Sequence, residues 1–311
     1  STPIKSSAAS DVYKRQEPEK GNPMSIKIIV DSTTDLTSST RNRVTVVPLT
    51  VCFGADEYID GVNLTHKEFY EKLIESDTLP TTSQATPSAF MRALDDVLEP
   101  DDSAVIITLS SKLSGTYQSA VIAASDYENV YVVDSSSAAI GASILTEFAL
   151  QCLEEGMSAA EIAEALEKKK EDVCLIAMLD TLEYLKKGGR VTPAAAMIGT
   201  VLNIKPVLTI QGEKLDAFEK ARGVKQAKKA MIKAMKKDMD KRFAKERAAG
   251  IMGLHIAYTA NDKEVIDGWI AEVKEAFPDF EVDAHPLSLS VACHIGPGAL
   301  AIACEKKSAI S

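Results

Sequence analysis

The chain has 311 residues, 45% of them hydrophobic and 5% aromatic, enough for one large or two modest domains with a buried core. Its formal net charge of −10 argues against general nucleic-acid binding. Five cysteines occur (Cys52, Cys152, Cys174, Cys293, Cys304) without a C-x-x-C pair, so their spacing matches neither a disulfide framework nor a zinc site and they read as free thiols of a reducing compartment.

Residues 1–23 are polar and aperiodic, and the string Ser7 to Gln16 resembles translated sequencing-adapter read-through, so the natural start is expected at Met24. No run is long and apolar enough to span a membrane, and the beginning of the chain lacks the layout of a signal peptide. The expected location is cytoplasmic. Ile26 to Val30 and Val44 to Phe53 read as the first strands. His66 to Glu75 and Pro87 to Leu98 read as helices, followed by a strand at Ser103 to Leu109 and a helix through Ala124. A strand at Val130 to Val133 and a helix from about Ser137 to Glu154 continue the alternation, which predicts βαβ units around a parallel sheet.

After Gly156 the pattern changes. Ser158 to Lys170 is a predicted helix, capped by Ser158 with Glu161 three residues on, and Val173 to Leu179 is a strand. Thr192 to Leu202 reads as a helix with Pro193 in its first turn. Val207 to Gln211 and Lys214 to Phe218 flank Gly212-Glu213 as a hairpin. Glu219 to Arg247 holds 12 Lys/Arg against 4 Asp/Glu, and its apolar residues, Val224 to Phe243, recur at helical spacing. A strand at Gly253 to Thr259, a helix and a last strand near Glu281 to Pro286 follow. The expected fold is two-domain α/β. An N-terminal α/β/α domain with a parallel sheet covers 24–160, a C-terminal α/β domain covers 161–311, and a ligand pocket lies between or near them.

Polar clusters sit where an open α/β sheet places its ligand, at the carboxyl ends of strands. They are D-S-T-T-D-L (Asp31 to Leu36), T-T-S-Q (Thr81 to Gln84), S-S-K-L-S-G-T-Y-Q-S-A (Ser110 to Ala120), L-E-Y-L-K-K-G-G-R (Leu182 to Arg190) and H-I-G-P-G (His294 to Gly298). Each alone also reads as a cap or turn. Of the four histidines, His66, His255, His285 and His294, only His294 stands beside a glycine-rich turn. No cluster has metal-ligand spacing.

In this order, and with Asp134-Ser135, these motifs resemble the DegV family from about Met24 to Lys307. One departure is Ala85, where the family often carries proline directly after T-S-Q; here Pro87 follows two residues later. The resemblance implies a subunit without catalytic residues or cofactor of its own. It would bind a long-chain fatty acid and present the carboxylate to the catalytic subunit of a bacterial ATP-dependent fatty acid kinase. It implies that Thr81 and Ser111 contact the carboxylate with His294 close by, that Ser32 and Arg190 order the head-group region, and that Arg222 serves docking with the kinase. The partners implied are the fatty acid and the kinase, with a transient contact with a membrane surface admitted and nucleic acid excluded.

The residues agree with hydroxyl recognition of a buried carboxylate, which must be hydrogen-bonded throughout. A long acyl chain contributes roughly 0.8 kcal/mol per buried methylene, on the order of 10 kcal/mol gross. Pro193 to Leu202 is a candidate tunnel wall. Three other readings stay open: a hydrolase using a serine with His294 and Asp134, a dihydroxyacetone-kinase-like substrate subunit, and a regulatory protein with lipid as filler. The first lacks a G-x-S-x-G elbow and the second a P-loop.

Overall fold

The structure is a computed structural model, and it describes residues 25–76, 78–190, 203–210, 215–259 and 262–307. The N-terminal extension, the helix expected at Thr192 to Leu202 and the hairpin turn at Gly212-Glu213 lie outside the described residues. Two large sheets and one small sheet organise the rest.

The first sheet is parallel throughout, with order β2-β1-β6-β7. Its strands are β1 (Ile26–Asp31), β2 (Thr45–Val47), β6 (Ser103–Thr108) and β7 (Val130–Asp134). Alternation sends Ile28, Val30, Val105 and Ile107 to one face, against the helices Ile140–Glu154 and Ala159–Lys169. Ile29, Ala104 and Ile106 point the other way, against Pro87–Val97 and Thr116–Ala124. Helices on both faces explain why these strands are apolar runs. The helix Ala159–Lys169 packs on this sheet through Ile162 and Leu166, so the first layer continues to Lys169 and the second sheet begins at Val173.

Between β2 and β6 lies a small antiparallel sheet, β4-β3-β5, built from β3 (Thr50–Phe53), β4 (Asp56–Ile59) and β5 (Thr81–Ser83). The single strand expected at Val44 to Phe53 is therefore two, parted at Pro48-Leu49, which belong to different sheets. Proline cannot donate to a ladder, and the chain changes sheet there. The small sheet does not pack on its own neighbours alone. Val51, Leu64 and Phe69 bury against Leu289, Ala292 and Cys293 of a C-terminal helix, Leu289–Ile295.

The second sheet is mixed, with order β10-β9-β8-β13-β11-β12. Its strands are β8 (Val173–Met178), β9 (Ile204–Ile210), β10 (Leu215–Arg222), β11 (Met252–Tyr258), β12 (Val282–Pro286) and β13 (Leu300–Lys306). All pairs are antiparallel except β11 with β12. One face, with Ile176, Leu254, Ile256 and Ile302, is covered by the basic helix Val224–Arg242 and by Lys263–Ala276. The basic helix buries Ala227, Met231, Met235 and Met239, as its periodicity predicts, although Val224 is exposed. The opposite face carries Leu175, Ala177, Ala257, Ala301 and Ala303 and packs against Ile140 and Ile144 of the helix Ile140–Glu154, whose other side covers the first sheet. All five cysteines are free. Among the described residues, no helix is long and apolar enough to cross a membrane.

Candidate functional site

Between the two large sheets lies a cavity of about 220 Å³. Its position follows from two local facts. The first is the switch in strand order between β1 and β6, where chains leave the sheet in opposite directions and open a crevice. The Asp31 carboxylate ties the two strand ends together, accepting from the Leu109 amide at 2.6 Å and from the Thr33 amide at 2.9 Å. Burial raises its proton affinity despite these bonds. The second fact is the alternation in β13. Leu300, Ile302 and Cys304 fill one face, while Ala301 and Ala303 leave the other shallow. Ala301, with Ala177 of β8, floors the space that Leu175, Leu179, Leu185 and Ile295 also line.

The polar lining is concentrated in the motifs. Thr33, Thr82, Gln84, Ser114, Arg190 and His294 all border the cavity. His294 sits in the last turn of Leu289–Ile295, and its Nε2 lies 2.7 Å from Thr82 Oγ1. Burial, with the Arg190 charge nearby, lowers its pKa to about 4, so the imidazole is neutral at pH 7. Gly188 is required beside it: a Cβ there would lie 2.6 Å from His294 Nδ1. Arg190 Nε donates to Leu113 O at 3.1 Å, and Nη1 donates to Gly188 O. This guanidinium therefore laces the Gly188-Gly189 turn to the loop after β6.

Gly115 also has a packing reason. A Cβ there would overlap the Gln84 amide, whose Nε2 donates to Ser119 Oγ at 3.0 Å. The T-T-S-Q segment thus lies against the hydroxyl-rich turn, where Gly115 serves close approach as well as turn shape. Ser114 Oγ accepts from the Thr116 amide at 3.2 Å, a local turn bond ahead of the helix Thr116–Ala124, and still borders the cavity.

The expected carboxylate contacts at Thr81 and Ser111 need correction. Thr81 is exposed and does not border the cavity; Thr82 does. β5 pairs with β3, and strand alternation turns Thr81 and Ser83 outward while Thr82 faces His294. Ser111 is exposed and outside the lining, its amide donating to the Asp134 carboxylate at 3.2 Å. Ser114 is the hydroxyl of that turn which reaches the cavity. Ser32 is buried but lies away from the cavity, donating to Asp60 Oδ2 at 3.0 Å and accepting from the Leu49 amide. Thr33 takes its place in the lining. Arg222 is exposed at the end of β10, on the far side of the glycine turn that starts the basic helix. His294, Arg190 and Thr82 are brought together; Thr81, Ser111, Ser32 and Arg222 are not part of that group.

The same geometry bears on hydrolysis. Asp134 holds the amides of Ser111 and Ser136, the latter at 2.8 Å. Among the described residues, no carboxylate hydrogen-bonds His294, whose partner is Thr82. The Ser–His294–Asp134 relay is therefore not assembled. A period-2 reading of T-T-S and of L-A-I-A-C could have found Thr82 and the alanine floor; Thr33, Gln84 and Ser114 carry no such mark.

The DegV family model matches residues 25–307. A DegV domain-containing protein of Caldanaerobacter subterraneus subsp. tengcongensis is 38% identical over 215 residues, covering 68% of this chain and 76% of the relative. A Thermus thermophilus DegV family structure, described for its fatty acid binding, superposes with a TM-score of 0.80 at 33% identity, over 91% of this chain and all of the other (100%). A stearic acid-binding protein from Eubacterium ventriosum superposes with a TM-score of 0.80 at 25% identity, over 91% of this chain and 98% of the other.

Proposed function

Because the chain belongs to the DegV family, we propose that it binds one long-chain fatty acid in the cavity between its sheets and acts as a carrier, not a catalyst. The observation that carries this is the polarity of the lining. Apolar side chains from β8, β13 and Leu289–Ile295 line it, and its polar groups, Ser290 apart, come from the sequence motifs. With neutral His294 donating its Nε2–H to Thr82 Oγ1, the Thr82 and Ser114 hydroxyls are left as donors for a carboxylate, and Arg190 supplies positive charge without standing as a bidentate clamp, since its Nε and Nη1 hold backbone carbonyls. A carboxylate held this way keeps nucleophilic character. The alanine-floored remainder suits an unbranched chain, and the fatty-acid-binding relatives support the ligand class.

The finer reading extends this to a partner. The carrier presents its carboxylate to a separate ATP-dependent kinase, which forms the acyl phosphate, and Arg222 with the lysines of the following helix offers that partner an exposed basic face. The chain would act in the cytoplasm. Native mass spectrometry of protein purified from bacteria should show a one-to-one acyl adduct that denaturation releases. An empty protein that also fails to take up oleate or stearate would overturn the carrier reading. For the finer reading, acyl-phosphate formation with added kinase should require this chain and fall on Arg222→Ala while lipid binding persists.

A further inference from the structure

Outside the cavity, His255, Asp283 and His285 form a second constellation. The parallel pairing of β11 with β12 puts His255 directly opposite Asp283, and the two-residue period brings His285 to the same face. His255 Nδ1 lies 2.9 Å from Asp283 Oδ1, and His285 Nε2 lies 3.1 Å from Asp283 Oδ2. One ligand atom from each of the three residues falls within 4.8 Å of the others. None of the three borders the acyl cavity.

The geometry points to a site for a first-row divalent metal of the zinc class, held by His255, Asp283 and His285. A tetrahedral ion with bonds of about 2.0–2.1 Å sets its donors roughly 3.3 Å apart; each imidazole here stands about that far from the Asp283 carboxylate, at 2.9 and 3.1 Å, and all three donors fall within 4.8 Å. Two imidazoles and a carboxylate suit zinc better than calcium or magnesium, which take oxygen shells. A second observation points the same way. The other ring nitrogen of His255 has no hydrogen-bond partner and faces Glu305 Oε1 at 3.5 Å, while Lys169 holds Glu305 Oε2 at 2.7 Å. A carboxylate aimed at the outer nitrogen of a ligating histidine is the usual support of such sites, fixing ring orientation and tautomer. Glu147, on the helix covering this face, adds negative charge within electrostatic range of all four groups. The rings are nearly buried, at 12% and 17% exposure, while the Asp283 side chain is 45% exposed, which leaves entry from solvent at the sheet edge. An ion here would clip edge strand β12 to β11 just before Leu287 enters the cavity wall.

The test uses the full chain, stripped with chelator and titrated with zinc chloride by calorimetry, with cobalt as a spectroscopic substitute. One equivalent should bind, and cobalt should give the absorption of a low-symmetry nitrogen–oxygen site. Asp283→Asn and His285→Gln should each weaken binding at least about tenfold, and Glu305→Gln, with all three ligands intact, by about 10–100-fold. Glu128→Gln, an exposed acid elsewhere, should change nothing. Substoichiometric uptake by the native chain, or affinity unchanged from the native chain in the Asp283→Asn and Glu305→Gln proteins, would overturn the site and leave an ion-pair network. That failure would leave the fatty-acid reading untouched, because no donor lines the acyl cavity.

Discussion

Thr82 and His294 show what one residue of register does. Both threonines of T-T-S-Q carry the same hydroxyl, yet only Thr82 stands 2.7 Å from His294 Nε2. Thr82→Val should weaken oleate binding by about tenfold, the loss of one hydrogen bond to a charged group, whereas Thr81→Val should stay within about twofold. Displacement of a fluorescent fatty acid measures both, and equal losses would return Thr81 to the site. His294 also gives a signed pH dependence. It takes up its proton near pH 4 in the fold and near 6.5 in the unfolded chain. Stability is therefore complete above pH 6.5 and falls as pH drops toward 4, by roughly 3 kcal/mol. Urea unfolding of ligand-free protein should show this loss relative to His294→Gln, which lacks the titrating group. The motifs were legible as a group at this scale, but individual contacts were not. A hydroxyl that holds a turn amide and one that meets a ligand have the same side chain, and Ser114 does the first while bordering the cavity.

At the scale of elements, β13 is the informative case. L-A-I-A-C-E-K has no long apolar alternation and was absent from the expected strands, yet it lies at the centre of the second sheet between β8 and β11. Its weak signal has the same origin as the cavity: alternate positions are alanine because that face must leave room. Filling the floor should therefore be felt by the ligand first. Ala301→Leu should shorten the longest acyl chain accepted and weaken stearate more than laurate, at a stability cost of about 1–3 kcal/mol from overpacking. A chain-length series of dissociation constants checks this, and an unchanged profile would place the acyl tail elsewhere. The basic helix was readable in advance because its buried methionines recur every fourth residue, along one helix face. The helix Leu289–Ile295 was not, because seven residues show less than two full turns of pattern.

For the whole molecule, the cavity is walled by the segments at the carboxyl ends of the first sheet's strands and by one face of the second sheet, so the proposed ligand would couple folding across the two. Delipidated protein should unfold at lower temperature, and oleate at a hundred times its dissociation constant should restore about 2.7 kcal/mol. Calorimetry measures the restoration, and hydrogen exchange should show added protection both at the end of β6 and along β13. Protection confined to one sheet would contradict a cavity shared by two. The sequence by itself determined the alternation of strands and helices, the parallel first sheet, the amphipathic basic helix and the set of motifs that meet at the site. These are local properties, written in hydrophobic period, caps and turn residues. Only the tertiary structure decided which hydroxyl of each motif faces the cavity, that a C-terminal alanine-rich strand forms its floor, and that His255, Asp283 and His285 converge on one face. Those outcomes depend on strand pairing between segments distant along the chain, and a single-residue change of register would reverse every one of them.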